Sequence, residues 1–303
     1  MKLPTIVRLR FTLRRQVAGL GLALALAAAA PAAHAEIHIG VTLSTTGPGA
    51  SLGIPAEQAL KMWPGEMAGE KVRFTILNDN TDTTTAARNT QRLVSEDKVD
   101  IIIGSSVTPT SLAVVEAAGA AQVPVMSLAG GGAIVLPQDG PRRWAFKLSP
   151  TEPISIGLVF DHMATMKAKT LATIGFATSY GEGFLKGVEA AAPARGIRIV
   201  ATERYNPTDP SITAQILKIV SANPDAVYIL AAGTPGALPQ IELARRGYKG
   251  LVYQTQGVAN NEGLRDFVGS EGVYNMSATD HNGVDSRSQV MVKIENGAWK
   301  LQP

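Results

Sequence analysis

Serine, threonine and glycine crowd into a few short stretches of this 303-residue chain, and each stretch invites a different chemistry. Gly49-Ala50-Ser51-Leu52-Gly53 fits G-x-S-x-G, the turn that exposes a hydrolytic serine between a strand and a helix. That elbow needs its serine directly after the strand, whereas Ser44-Thr-Thr-Gly-Pro-Gly intervenes here. The histidines do not complete a triad either: His38 falls in a strand, His162 in a helix and His281 in the polar Thr279–Gly283 turn. Gly181-Glu-Gly183 with Gly187, and Gly47, Gly49 and Gly53, have the wrong spacing for a dinucleotide fingerprint and read as tight strand-to-helix turns. Asn78-Asp-Asn-Thr-Asp82 lacks the glycine and distant glutamate of a calcium loop and reads as a helix cap. With no cysteine there is no thiolate, disulfide or Cys-type zinc site. The expectation is a protein without metal or organic cofactor that is not an enzyme.

Two loops carry a different chemistry. Gly104-Ser105-Ser106-Val107-Thr108-Pro109 opens a helix, and Ser127-Leu-Ala-Gly-Gly-Gly132 follows the next strand. Hydroxyls and unpaired backbone N–H groups at a helix N-terminus suit one carboxylate. Ordinary capping, with Pro at a first helical position, explains the same residues equally well. Composition leaves both open.

Short apolar runs alternate with longer amphipathic ones, and this rhythm positions those loops. Ile37–Leu43, Val72–Leu77, Val99–Ile103 and Val123–Ser127 read as strands, with helices over Ala56–Trp63, Thr84–Glu96 and Pro109–Ala120. After Lys147-Leu-Ser-Pro150 the pattern restarts. Strands are expected at Thr170–Phe176, Ile197–Thr202, Ala226–Leu230 and Leu251–Thr255, with helices at Glu152–Met166, Glu182–Ala194, Ser211–Ala222 and Gly236–Arg246. Strand, helix, strand in succession gives parallel sheets with right-handed crossovers. The predicted fold is therefore α/β, with two Rossmann-like lobes around an interlobe cleft. The cleft is expected to be lined by the loops after Leu43, Ile103, Val125, Phe176, Leu230 and Thr255. The tail, Ser288–Gln302, reads as a hairpin about Asn296-Gly297 that packs on an existing lobe.

The first 35 residues read as a secretory signal peptide: a basic leader without acids, an apolar run Val17–Ala30, and small residues at Ala33 and Ala35. Cleavage is expected after Ala35, by the general route because Gln-Val-Ala follows Arg14-Arg15. The leader holds five of the 28 Lys and Arg and none of the 25 Asp and Glu, so the exported chain carries 23 basic and 25 acidic residues, a net of −2. The basic isoelectric point belongs to the precursor, and nothing in the charge points to a nucleic-acid or membrane partner.

Taken together, Ile39–Gly53, Asp79–Thr85, Val99-Asp-Ile-Ile-Ile-Gly-Ser105, Val123-Pro-Val, Ser179-Tyr-Gly-Glu-Gly183 and Gln256-Gly-Val-Ala-Asn260 resemble the periplasmic leucine/isoleucine/valine-type solute-binding proteins. The resemblance implies a monomeric type I binding protein that closes on its ligand and presents it to an inner-membrane ABC permease. It implies lobe one over 36–149, lobe two over 150–256, and a shortened segment 257–303 whose hairpin packs on lobe two. Ser106 and Thr108 stand in its carboxylate loop, with Ala129, Gly130 and Gly131 in the neighbouring segment. Gly131 offers only its N–H there. Tyr180 matches a tyrosine that covers the ligand, and Gln256 stands where amino-acid binders carry a glutamate for the α-ammonium. Leu52 and the Ala232–Thr234 loop stand where tyrosines are frequent, which implies a roomier, more apolar pocket.

Two departures shape the expected function. A buried ammonium without its carboxylate partner is costly, by several kcal/mol, and Gln256 cannot neutralise it. The expected ligand is a small carboxylate without a free α-amine, an aromatic or branched acid, in preference to an amino acid. The long stretch that the family carries before its final hairpin is reduced here to Asn261–Ser270. That implies an incomplete lobe one with an exposed apolar sheet face. The alternatives are a ligand sensor on the same two lobes and a truncated paralogue that binds nothing.

Overall fold

The computed structural model describes residues 36–258 and the backbone of 292–295 and 298–301. The leader, residues 259–291 with His281, and the Asn296-Gly297 turn lie outside the described residues.

Two separate sheets form. The first has the order β2-β3-β1-β4-β5-β6, with β1 Glu36–Leu43, β2 Glu66–Met67, β3 Glu70–Asn78, β4 Ile101–Gly104, β5 Val125–Ser127 and β6 Ala145–Lys147. All its pairings are parallel except β2 with β3. Helices α1 Ala50–Leu60, α2 Thr83–Ser95 and α3 Thr108–Ala120 connect the first five strands. The second sheet, β10-β9-β7-β8, is wholly parallel: β7 Thr170–Phe176, β8 Arg198–Tyr205, β9 Ala226–Leu230 and β10 Leu251–Gln254. Its helices are α4 Glu152–Thr165, α5 Ser179–Ala191, α6 Thr213–Ser221 and α7 Leu238–Arg245. The expected tail hairpin forms from β11 Val292–Glu295 and β12 Ala298–Leu301, in a register that pairs Val292 with Leu301 and Ile294 with Trp299. Its docking on a lobe lies outside the described residues.

The two lobes differ in cover. In lobe two, α4 and α5 bury one face of the sheet through Ile156, Phe160, Phe184 and Val188. The other face is closed by Ile216 and Ile219 of α6 and Leu243 of α7. In lobe one, α2 and α3 pack Ala86, Leu93, Val114 and Ala118 against Ile102 and Val125. On its other face Ile39, Val41, Leu43, Val72 and Ile103 cluster, among the described residues, with Ala56 and Leu60 of α1. Phe74, Ile76, Ile101 and Met126 there are only partly buried.

Most element boundaries shift from the sequence expectation by a few residues, and three differences have a local cause. Helix α1 starts at Ala50, six residues early, so Ser51, Leu52 and Gly53 are helical and not in a loop. A Cβ on Gly53 would lie 2.2 Å from the Ser44 carbonyl oxygen, so the missing side chain is what lets the helix begin against β1. Pro55 is accommodated inside it at the loss of one backbone bond. Helix α5 likewise starts at Ser179 because Gly181 packs on the Phe176 carbonyl, where a Cβ would be 2.1 Å away. Strand β6 was not expected, since three residues after Arg142-Arg143-Trp144 leave no periodicity to read.

Gly104 ends β4 with φ +127°, and a Cβ would meet the Thr42 carbonyl oxygen at 2.0 Å. Gly104→Ala is expected to destabilise the protein by about 1–3 kcal/mol. A thermal melt should fall by several degrees, and an unchanged midpoint would refute this account of the turn.

Candidate ligand-binding cleft

The carboxyl ends of β1, β3 and β4 are drawn together by one buried carboxylate. Asp79 accepts from Ser44 Oγ at 2.7 Å, Ser105 Oγ at 2.5 Å and the Thr81 N–H at 3.0 Å. Thr110 Oγ1 donates to Ser105 Oγ at 2.7 Å, and Ser127 Oγ donates to Ser111 Oγ at 2.9 Å. These hydroxyls fasten the first turn of α3 to the ends of β4 and β5. Asp82 caps α2 as expected, accepting from the Thr85 N–H at 2.7 Å.

No side chain caps α3: Val107 occupies its N-cap, and the first intrahelical bond runs from the Ser111 N–H to the Val107 carbonyl. Pro109 has no N–H, which leaves the amides of Thr108 and Thr110 at the helix start. Thr108 Oγ1 accepts the Gly131 N–H at 3.1 Å and keeps its own proton to donate. The Gly131 N–H, expected to serve a ligand, thus orients Thr108 in this structure. Ser106 Oγ accepts from the Ser44 N–H at 3.1 Å.

This helix start opens into a cavity of about 390 Å3 between the lobes. Lobe one lines it with Leu52, Thr81, Ser106, Thr108, Leu128, Ala129 and Gly130; lobe two with Phe176, Thr178, Tyr180, Thr208, Ala232 and Gln256. None of the lining residues is Asp, Glu, Lys or Arg. Tyr180 lies along Gly130, where an added Cβ would be 2.9 Å from its ring, and its hydroxyl donates to Thr255 Oγ1 at 2.9 Å. Burial raises the Tyr180 pKa, so the phenol stays neutral. Gln256 Oε1 accepts from Ser155 Oγ at 2.9 Å.

Thr234 is not a lining residue. It sits at the rim, where its N–H donates to Ser51 Oγ at 3.1 Å and joins the lobes. The serine of the G-x-S-x-G motif thus lies in the first turn of α1, while His38 has both ring nitrogens engaged elsewhere and His162 has its Nδ1 engaged elsewhere. His38 meets Thr75 Oγ1 and the Asp97 carbonyl, and His162 meets the Tyr253 hydroxyl. Among the described residues no three His, Asp or Glu side chains gather as a metal site, and no helix is long and apolar enough to cross a membrane.

Two charges that the sequence did not single out sit at the first crossing. Lys147 is fully buried and donates to the carbonyls of Gly130 at 3.1 Å, Pro150 at 2.9 Å and Ser149. Glu152 accepts the Gly132 N–H at 2.8 Å. Burial lowers the Lys147 pKa to about 8, and Glu152 opposes that shift.

With this geometry in hand, the comparisons with known proteins agree. A family model described as "Periplasmic binding protein" matches residues 36–280. A "Leu/Ile/Val-binding protein homolog 3" from Brucella melitensis is 25% identical over 237 residues, 74% of this chain and 62% of the relative. The chain therefore spans less than two thirds of that relative's length. An extracellular ligand-binding receptor from Rhodopseudomonas palustris HaA2 superposes with a TM-score of 0.81 at 33% identity, covering 88% of this chain and all of the other. A solute-binding protein of an ABC transporter from Rhodopseudomonas palustris BisB5, in complex with 3,4-dihydroxybenzoic acid, gives 0.68 at 24% identity over 79% and 67% of the two chains. The chain belongs to the periplasmic binding protein family and has its type I fold.

Lys147 generates a pH prediction. A lysine whose pKa drops from 10.5 to about 8 on folding penalises the fold while it is charged in both states. As pH rises from about 8 to 10.5 the folded state loses its proton first, and the penalty is relieved. Denaturant titrations of wild type and Lys147→Met across this window should show wild type gaining on the variant. A pH-independent difference would contradict the assignment.

Proposed function

We propose that the protein is the periplasmic solute-binding component of an ABC importer, exported by a signal peptide cleaved after Ala35. In this reading it captures a small carboxylate without an α-ammonium group between its lobes. It acts as a monomer and hands the ligand to an inner-membrane permease. The observation that carries the reading is the cavity, which among the described residues has no Asp, Glu, Lys or Arg in its lining and receives the uncapped start of α3. Such a helix start offers amide dipoles and the Thr108 hydroxyl to one anion. An α-ammonium would find no carboxylate to offset its desolvation. The apolar walls at Leu52, Leu128, Phe176 and Ala232 suit an aliphatic or aromatic body, and about 390 Å3 suits one small molecule. The fold itself can hold an aromatic acid, as its Rhodopseudomonas palustris BisB5 relative does.

A calorimetric panel of aliphatic and aromatic acids beside their amino-acid counterparts tests this, with Thr108→Val as the probe variant. Loss of a hydrogen bond to a charged group should weaken acid binding about tenfold to a hundredfold. Tight, stereospecific capture of leucine or valine would sink the proposal.

The Ser51–Thr234 contact makes a separate kinetic prediction. Ser51→Ala removes an acceptor that joins the lobes at the cleft mouth, so dissociation of a bound acid should quicken about two- to tenfold. Association should stay nearly constant. Stopped-flow traces with an unchanged dissociation rate would leave Ser51 without a role in closure.

A further inference from the structure

Gln256 is held in one orientation. Its Oε1 accepts from Ser155 of α4, which turns Nε2 toward Gly130, where an added Cβ would lie 3.6 Å from it. Nε2 is buried, and among the described residues it has no hydrogen-bond partner. An unpaired buried donor beside a ligand cavity is costly unless an acceptor arrives. The acceptor's place is set by the same turn. A Cβ on Gly131 would sit 2.8 Å from Thr108 Oγ1, so the orphan donor and the carboxylate donors flank neighbouring residues, whose Cα atoms are about 3.8 Å apart.

We infer that the cleft is shaped for a 2-oxo acid, with the α3 start taking the carboxylate and Gln256 Nε2 donating to the α-carbonyl oxygen. This rests on the carboxylate reading above and specifies the atom next to the carboxylate. An α-ammonium would turn its own donors against Nε2. A plain α-methylene leaves Nε2 unpaired, and a 2-hydroxy acid adds a proton that needs an acceptor of its own. The α-oxo group alone brings an acceptor and no donor.

The test is calorimetric titration of the whole protein with two matched sets. One set is 4-methyl-2-oxopentanoate, 4-methylpentanoate and leucine; the other is their 3-phenyl counterparts, phenylpyruvate, 3-phenylpropanoate and phenylalanine. Wild type should favour the oxo acid over the plain acid by about tenfold, with the amino acid weakest. Gln256→Leu should abolish that preference, with oxo and plain acid binding the variant within about threefold of each other. Gln256→Glu should weaken the oxo acid and strengthen the amino acid, and the thermal midpoints of both variants establish that they are folded. Equal binding of oxo and plain acids by wild type overturns the role of Gln256 while the carboxylate reading stands. Tightest binding of the amino acid, or no binding of any member of either set, overturns both.

Discussion

A buried carboxylate organises the ligand-facing edge of the first sheet. Asp79 directly follows β3, fully inside the protein, and donors from Thr42, Ser44, Thr81 and Ser105 converge on it. A charge withdrawn from water is tolerated only where hydrogen bonds replace its hydration. Those bonds bring the ends of β1, β3 and β4 to fixed positions. The first turn of α3 follows through Ser105 and Thr110, and Thr108 follows from α3. The uncharged donors of the cleft are thus positioned by a carboxylate placed behind them, outside the cavity lining.

A similar arrangement recurs at the crossing between lobes. Lys147 gathers the carbonyls of Gly130, Ser149 and Pro150, while Glu152 holds the Gly132 amide. Two buried charges therefore set the Gly130–Gly132 turn that separates Thr108 from Gln256. The structure places its charges in the scaffold and leaves the binding surface to dipoles, hydroxyls and apolar walls. Such a surface distinguishes ligands by their hydrogen-bonding pattern, since it offers no ion pair to reward net charge.

Much of this fold was legible in the sequence. Strands β7 and β9 match their expected bounds because both are apolar runs set off by polar or turn-forming neighbours. Helices α1 and α5 begin earlier than their periodicity suggests, since the close approach of Gly53 and Gly181 to backbone carbonyls is a tertiary fact. In the cleft, Leu52, Ser106, Thr108, Ala129, Gly130, Tyr180, Ala232 and Gln256 all lie on the cavity. Gly131 stands behind Thr108 and Thr234 at the rim. Asp79, Lys147 and Glu152 were missed because nothing local marks a charged residue for burial. The lining loops after β3 and β8 were missed too: Asn78–Asp82 was read only as a helix cap, and no motif marks Thr208.

The central claim is that uncharged donors at the start of α3 capture an anion. The most direct measurement is a calorimetric comparison of 3-phenylpropanoate with 3-phenylpropanamide, which share a skeleton and differ in charge at one end. The account predicts that the acid binds at least tenfold tighter, about 1.4 kcal/mol, and that the difference persists in high salt because the site is shielded from solvent. Equal affinity for acid and amide would contradict it.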